Sequence, residues 1–410
     1  MNKLILRGPQ SDIDVSLTIG GSKSITNRVL LIRALSGNNF EIENLSNSDD
    51  SQTMMNLFAD QDQHIFDCHH AGTTFRFLTA YFSLQKGEQI LTGSARMKNR
   101  PIGPLVDALR SLGAHIEYLE KEGYPPLKIR PFNKQKTKDI SIKADISSQF
   151  ISALCMIGPS LKQGISIKLE GELVSQPYLE MTLKIMSDFG IKSNFENQQI
   201  HISSQRYESK KYLVESDWSS ASYHFAIAAL KPNSKILLNH FFEDSLQGDS
   251  AITKMAQSFG VQTTFNGTSL LIQSDDHNLN EFNYDFIEQP DIAQTIAVMA
   301  AGKGISVFYN GLKTLRIKET DRIEALQNEL KKINVNLIKS LKDHWEFEQF
   351  GFAKINNPVF DTYQDHRMAM SFAPLAILGN ICINEPEVVS KSYPDFWDHL
   401  KEMGFKLEVK

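Results

Sequence analysis

The sequence predicts a two-domain α/β protein assembled from copies of one repeat. Three observations carry this. Five helix-to-strand junctions recur at near-constant spacing. The segments before them are amphipathic helices, and short strand-like runs surround them. At 410 residues the chain is too long for one compact core.

The junctions are Leu112-Gly113 before Ala114-His115-Ile116, Phe189-Gly190 before Ile191, Phe259-Gly260 before Val261, Ile333-Asn334 before Val335, and Met403-Gly404 before Phe405. Gly or Asn at this place is the left-handed helix stop. Positions 113, 190, 260, 334 and 404 are separated by 77, 70, 74 and 70 residues. Five such junctions define a repeat of roughly 70 residues, longer than the familiar solenoid periods. The helix Pro104–Leu112 places Leu105, Ala108, Leu109 and Leu112 on one face. Ser250–Phe259 does the same with Ile252, Met255, Ala256 and Phe259. Ile305-Ser306-Val307-Phe308 and Lys235-Ile236-Leu237-Leu238 read as strands. A sixth copy, short and degenerate, is expected to end near Gln61. Six copies suggest three per domain. The break is expected after Lys211, where a strand at Tyr212–Val214 leads into Asp217-Trp218-Ser219-Ser220.

Hydrophobic residues make up 41% of the chain and charged residues 22%, the composition of a soluble globular protein. The net charge of -5 disfavours a nucleic-acid partner. It leaves room for small anionic substrates, since local clusters of cations occur in acidic proteins. Cys68, Cys155 and Cys382 are scattered and odd in number, which points to a reducing compartment. The first ten residues do not read as a signal peptide, and no apolar run is long enough to span a bilayer. A cytoplasmic protein with no membrane partner is expected.

Several repeated helices begin beside charged or turn-forming residues: Arg100-Pro101, Ser175-Gln176-Pro177, Gln247-Gly248-Asp249, Lys318-Glu319-Thr320-Asp321, and Lys391-Ser392-Tyr393-Pro394-Asp395. Helix N-termini bind anions through free N–H groups and the helix dipole. Gly20-Gly21-Ser22-Lys23-Ser24-Ile25-Thr26-Asn27-Arg28 follows the strand Val15–Ile19 and opens a helix, a setting suited to phosphate, although the Walker spacing is absent. Each segment also has a plainer reading. Lys and Arg are mostly solvated surface. Ser147 before Ser148-Gln149-Phe150 is an ordinary helix cap. The five charges of Arg316-Ile317-Lys318-Glu319-Thr320-Asp321-Arg322 could be surface ion pairs of little consequence.

As an ordered set these segments have a more specific meaning. GSKSITNR, AGTTFR, RMKNRPIG, SSQF, LVSQPY, QPDIAQT, RIKETDR, YQDHRMAM and SKSYPDFW run from Gly21 to Trp397. In that order they resemble the 5-enolpyruvylshikimate-3-phosphate synthases, one branch of the enolpyruvyl transferases. The resemblance implies two domains, each of three βαβαββ units forming an inside-out α/β barrel, with the N-terminal strand returning to the second domain. The expected boundaries are 19–217 for the first domain and 1–18 plus 218–410 for the second, with the active site in the interdomain cleft. It implies transfer of the carboxyvinyl group of phosphoenolpyruvate to shikimate 3-phosphate by addition and elimination.

The implied shikimate 3-phosphate contacts are Lys23, Ser24, Arg28, Ser147, Ser148, Gln149, Ser175, Tyr178, Asp291, Thr314 and Lys318. Those for phosphoenolpyruvate are Lys23, Gly72, Arg100, Gln149, Arg322, Arg367 and Lys391. Asp291 is the expected base, Glu319 the proton donor to C3, and Lys23 the acid for the leaving phosphate, with His366 and Lys391 in reserve. Seven cations, Lys23, Arg28, Arg100, Lys318, Arg322, Arg367 and Lys391, would face roughly six substrate charges. This chemistry requires no metal or organic cofactor, and Cys68-His69-His70 has no fourth ligand nearby in sequence. A monomer is expected. His70, Phe77 and Thr314 depart from the family's usual Asn, Pro and Asn, and the segment from Asp50 to His69 is short, as if one repeat had lost a hairpin. Two rivals remain. One is the sister family acting on UDP-N-acetylglucosamine, which carries a reactive Cys on a loop comparable to Thr92–Gly103, where this chain has none. The other is a non-catalytic anion-binding repeat protein, which would not need Asp291 and Glu319.

Overall fold

The computed structural model describes residues 2–60, 63–144, 147–275, 279–341, 344–348 and 355–410. The helix end expected near Gln61 lies outside them. The chain forms two compact units: Gly21–Val214, and the residues up to Gly20 together with Glu215–Lys410.

One sheet shows the repeat in full. Asp139–Lys143 and Ile165–Glu170 pair in parallel across the helix Ser148–Ile157. The chain then passes through the helix Gln176–Asp188 into the hairpin Ser193–Glu196 and Gln199–Ile202, whose second strand adds antiparallel to Ile165–Glu170. This is a βαβαββ unit. Ile65–Asp67, Gln89–Thr92, His115–Tyr118 and Leu127–Arg130 repeat it in the same unit, and Glu281–Asp285, Ser306–Asn310, Leu337–Leu341 and His344–Phe347 repeat it in the other.

The remaining copies depart from the pattern instructively. The strand Asp14–Leu17 pairs in parallel with Lys235–Asn239, so the N-terminal segment supplies the first strand of that sheet. Lys3–Arg7 lies between Ile381–Asn384 and Lys406–Val409, antiparallel to both, and fills the place of the missing hairpin strand. The N-terminal strand thus joins the Glu215–Lys410 unit. The first copy is reduced to a two-stranded sheet, Ile42–Glu43 with Tyr212–Leu213. Among the described residues no hairpin separates its helix Asp49–Ala59 from the strand Ile65–Asp67.

The helix stops read from the sequence adopt left-handed backbone: φ is 118° at Gly113, 83° at Gly190, 73° at Gly260, 62° at Asn334 and 87° at Gly404. One element differs. Ser250–Phe259 is not a continuous α-helix, for only Ile252–Met255 is α-helical and both flanks tighten into 3-10 turns. Tightened end turns are common in such short segments, and here they keep Ile252, Met255, Ala256 and Phe259 buried.

Each unit has three central helices with the sheets outside them. In one they are Lys23–Ser36, Gly72–Phe82 and Ser148–Ile157, which pack on one another. In the other they are Trp218–Leu230, Ala293–Lys303 and His366–Phe372. All of Ala293–Gly302 and all of His366–Phe372 are buried, and apart from Gln294, His366 and Arg367 their residues are apolar or small. Polar residues therefore gather at the helix starts, where backbone N–H groups are left open.

Candidate active site

In the Gly21–Val214 unit the expected site residues sit at those starts. Lys23 opens its helix and lies 3.3 Å from Asp50. One turn on, Arg28 is only 2% exposed. Its guanidinium donates to Thr182 Oγ1 at 2.7 Å, the Ser24 carbonyl at 2.8 Å, the Tyr178 carbonyl at 3.2 Å and Ser152 Oγ at 3.4 Å. These acceptors are all neutral. Burial lowers its pKa to about 10, with Tyr178 opposing the shift. Phe77, one of the departures from the family pattern, lies under this guanidinium at 5.6 Å.

Gly72 opens the second helix, and Arg76 Nη1 donates to its carbonyl at 2.8 Å. A Cβ on Gly72 would stand 2.8 Å from Arg76 Nη1 and closer still to Arg100 Nη1. Only glycine lets both guanidinium groups lie against this helix start. Arg100 Nε is buried and has no partner among the described residues. His70 is exposed, and its Nδ1 is 2.9 Å from Ser94 Oγ.

Ser147 caps the third helix by accepting from the Gln149 N–H at 3.3 Å. Ser148 is buried beside it, and Gln149 Nε2 donates to Thr73 Oγ1 at 3.1 Å, joining the second and third helix starts. Ser175 precedes the helix carrying Tyr178 with φ of 56°, a strained choice for a serine.

The Glu215–Lys410 unit is built differently. Asp291 stands in the turn before Ala293–Lys303. Its Oδ1 is 3.0 Å from Arg322 Nη1 and 3.3 Å from Lys318 Nζ, and its Oδ2 is 3.4 Å from Arg367 Nη2. Arg367 Nη1 also donates to the Asp291 carbonyl at 2.8 Å. Arg322, 1% exposed, binds Asp365 through Nε at 2.7 Å and Nη2 at 3.3 Å, and Glu319 through Nη2 at 2.8 Å. Burial works to lower its pKa, but Asp365, Glu319 and Asp291 outweigh it and hold the group above its ordinary value. Asp365 also caps the third central helix by accepting from the Arg367 N–H at 2.9 Å.

His366 is buried with Nδ1 3.8 Å from Asp365. Lys391 Nζ donates to the Gln364 carbonyl at 2.7 Å, beside the same helix start. Thr314 lies on a turn packed against Pro290–Ile292, and its Oγ1 is buried without a partner among the described residues.

A sequence profile described as EPSP synthase (3-phosphoshikimate 1-carboxyvinyltransferase) matches residues 8–65 and 56–400. The chain belongs to the EPSP synthase family. It is similar to the 3-phosphoshikimate 1-carboxyvinyltransferase of Bacteroides fragilis, with 43% identity over 410 residues and 99% of each chain covered. The Aliivibrio fischeri protein of the same description is 37% identical over 434 residues, covering 98% of this chain and 100% of that one. A solved EPSP synthase of Acinetobacter baumannii superposes with a TM-score of 0.81 at 20% identity, covering 100% of both chains, so the fold is shared.

Against this family background, the plain charge count needs correcting. Seven cations facing two anions takes no account of Asp50, Asp291, Glu319 and Asp365, which already engage Lys23, Lys318, Arg322 and Arg367. The surface reading of the Arg316–Arg322 segment holds for Arg316 with Asp321, a half-exposed pair, and fails for buried Arg322. Sequence reasoning gave no site role to Ser152, Thr182, Ser219 or Asp249, although it named Ser219 and Asp249 near helix starts. The available signal was a lone polar residue inside an apolar helix or at a helix start.

Proposed function

We propose that this chain transfers the enolpyruvyl group of phosphoenolpyruvate to the 5-hydroxyl of shikimate 3-phosphate, releasing phosphate, in the shikimate pathway to chorismate and the aromatic amino acids. The observation that carries the chemistry is the pair of carboxylates, Asp291 and Glu319, held by one buried guanidinium, Arg322.

The 5-hydroxyl oxygen bonds to C2 while Asp291 takes its proton and Glu319 delivers a proton to C3. A tetrahedral intermediate with a new methyl group results. C3 then returns a proton to Glu319, the C2–O bond to phosphate breaks, and Lys23 protonates the leaving group. His366 is buried, whereas the Glu319 side chain is 27% exposed, which favours Glu319 as the carrier facing substrate. Lys23, Ser24, Arg28, Ser147, Ser148, Gln149, Ser175, Tyr178, Thr314 and Lys318 hold shikimate 3-phosphate in this reading. Lys23, Gly72, Arg100, Gln149, Arg322, Arg367 and Lys391 hold phosphoenolpyruvate. The protein works as a cytoplasmic monomer on small molecules. No described helix is long and apolar enough to cross a membrane.

Phosphate release measured with each substrate omitted in turn tests this. Release is expected only with both phosphoenolpyruvate and shikimate 3-phosphate present. Release with UDP-N-acetylglucosamine in place of the shikimate would favour the sister activity, and release with neither pairing would favour a binding protein.

A further inference from the structure

Next to the Asp291 cluster lies a carboxylate that the mechanism does not use. Asp249 stands in the 3-10 turn Gly248–Ala251 and is 4% exposed. Its Oδ2 accepts a short hydrogen bond from Ser219 Oγ, at the start of the helix Trp218–Leu230. Its Oδ1 is buried with no partner among the described residues. Ser219 Oγ in turn accepts from Arg367 Nη2 at 3.3 Å, the same nitrogen that lies 3.4 Å from Asp291 Oδ2. Two carboxylates therefore flank one guanidinium, one directly and the other through a serine hydroxyl.

The charged and titratable groups around Asp249 are Asp217 at the cap of the serine's helix, Asp291, Arg367, and Tyr284 on the neighbouring strand. Burial is the largest influence and, with the Asp291 charge, raises the Asp249 pKa to about 6 against the pull of Arg367. The negative charge of Asp249 is thus sustained by a cation that it does not touch. An anion bound to Arg367 would draw on that same positive charge and add a negative one nearby.

We propose that Asp249 is the charge regulator of this site: ionised while Arg367 is unoccupied, it takes up a proton when phosphoenolpyruvate binds Arg367. This rests on the reading of Arg367 as a phosphoenolpyruvate ligand. It assigns Asp249 as a positioning residue acting through Ser219 and Arg367. The regulator lets the site hold a dense set of carboxylates for proton transfer and still accept a strongly anionic substrate.

The test is calorimetric titration of phospholactate into the protein saturated with shikimate 3-phosphate at pH 7. Phospholactate keeps the carboxylate and phosphate of phosphoenolpyruvate and lacks the double bond, so no turnover intervenes. Repeating the titration in Pipes and in imidazole, which differ in ionisation enthalpy, counts the protons exchanged. The wild type should take up about half a proton or more beyond Asp249→Asn, in which the ligand's own protonation change remains. Ser219→Ala removes the hydrogen bond that favours the ionised carboxyl. That protein should therefore already be partly protonated at this site, bind phospholactate, and show reduced uptake. Equal proton counts in the wild type and both variants would overturn the proposal. Failure of phospholactate to bind any of them would instead refute the ligand assignment of Arg367, and the inference would fall with it.

Discussion

Arg28 and Arg322 are both buried arginines near the start of a helix, one in each unit, yet they are held in opposite ways. Arg28 donates to Thr182, Ser152 and two backbone carbonyls, and burial lowers its pKa. Arg322 is gripped by Asp365, Glu319 and Asp291, and its pKa rises. A buried cation among neutral oxygens keeps most of its charge available to an incoming anion. A buried cation among carboxylates is a scaffold that fixes those carboxylates. The contrast teaches a division of labour. In the proposed reading the Gly21–Val214 unit is mainly an anion cradle, with Lys23 and Asp50 as its exception, and the Glu215–Lys410 unit supplies the two carboxylates of the proton chemistry.

The largest expected effect follows from that division. Asp291→Asn should lower turnover by about 10²–10⁴ while shikimate 3-phosphate affinity, measured by equilibrium dialysis, stays within a few-fold. Parallel loss of both would make Asp291 a binding group and break the contrast. Asp365→Asn should cost about 3 kcal/mol of stability in denaturant unfolding, because buried Arg322 loses its carboxylate partner while the amide can still cap the helix. An unchanged midpoint would mean that Glu319 and Asp291 suffice to hold Arg322. Gly72→Ala should push Arg100 and Arg76 off the helix start and raise the KM for phosphoenolpyruvate about tenfold, with kcat much less affected. A fall in kcat alone would move proton chemistry into the cradle. The smallest effect belongs to Thr182→Val, which leaves an Arg28 donor unmatched and should cost about 1 kcal/mol in stability, with part of it restored by saturating shikimate 3-phosphate.

How much of this could be read in advance depended on whether the signal was local. The stops at Gly113, Gly190, Gly260, Asn334 and Gly404 were legible because a left-handed backbone restricts residue choice strongly. Lys23, Gly72, Ser147, Asp291 and Arg367 were singled out because their short segments resemble the family's, and the structure places these segments at helix starts, where polar residues collect for a physical reason. The difference between Arg28 and Arg322 was not. Arginines default to the surface, and the side-chain acceptors of Arg28 lie 124 and 154 residues away along the chain. Asp249 was hidden for a similar reason. Its helix-start position gave it no role of its own, and its link to Asp291 runs through a serine 30 residues before it and then Arg367. The irregular turns of Ser250–Phe259 were masked because 3-10 and α spacing bury the same four apolar residues there.

The most direct test of the carboxylate unit's role is deuterium exchange at C3. Addition makes a methyl group from the phosphoenolpyruvate methylene, and elimination removes one of its hydrogens. The wild type run in D₂O should therefore give product with deuterium in the transferred vinyl group. Glu319→Gln should bind both substrates, yet exchange and turn over more slowly by about 10² or more. Product free of deuterium, or exchange in Glu319→Gln at the wild-type rate, would contradict the account.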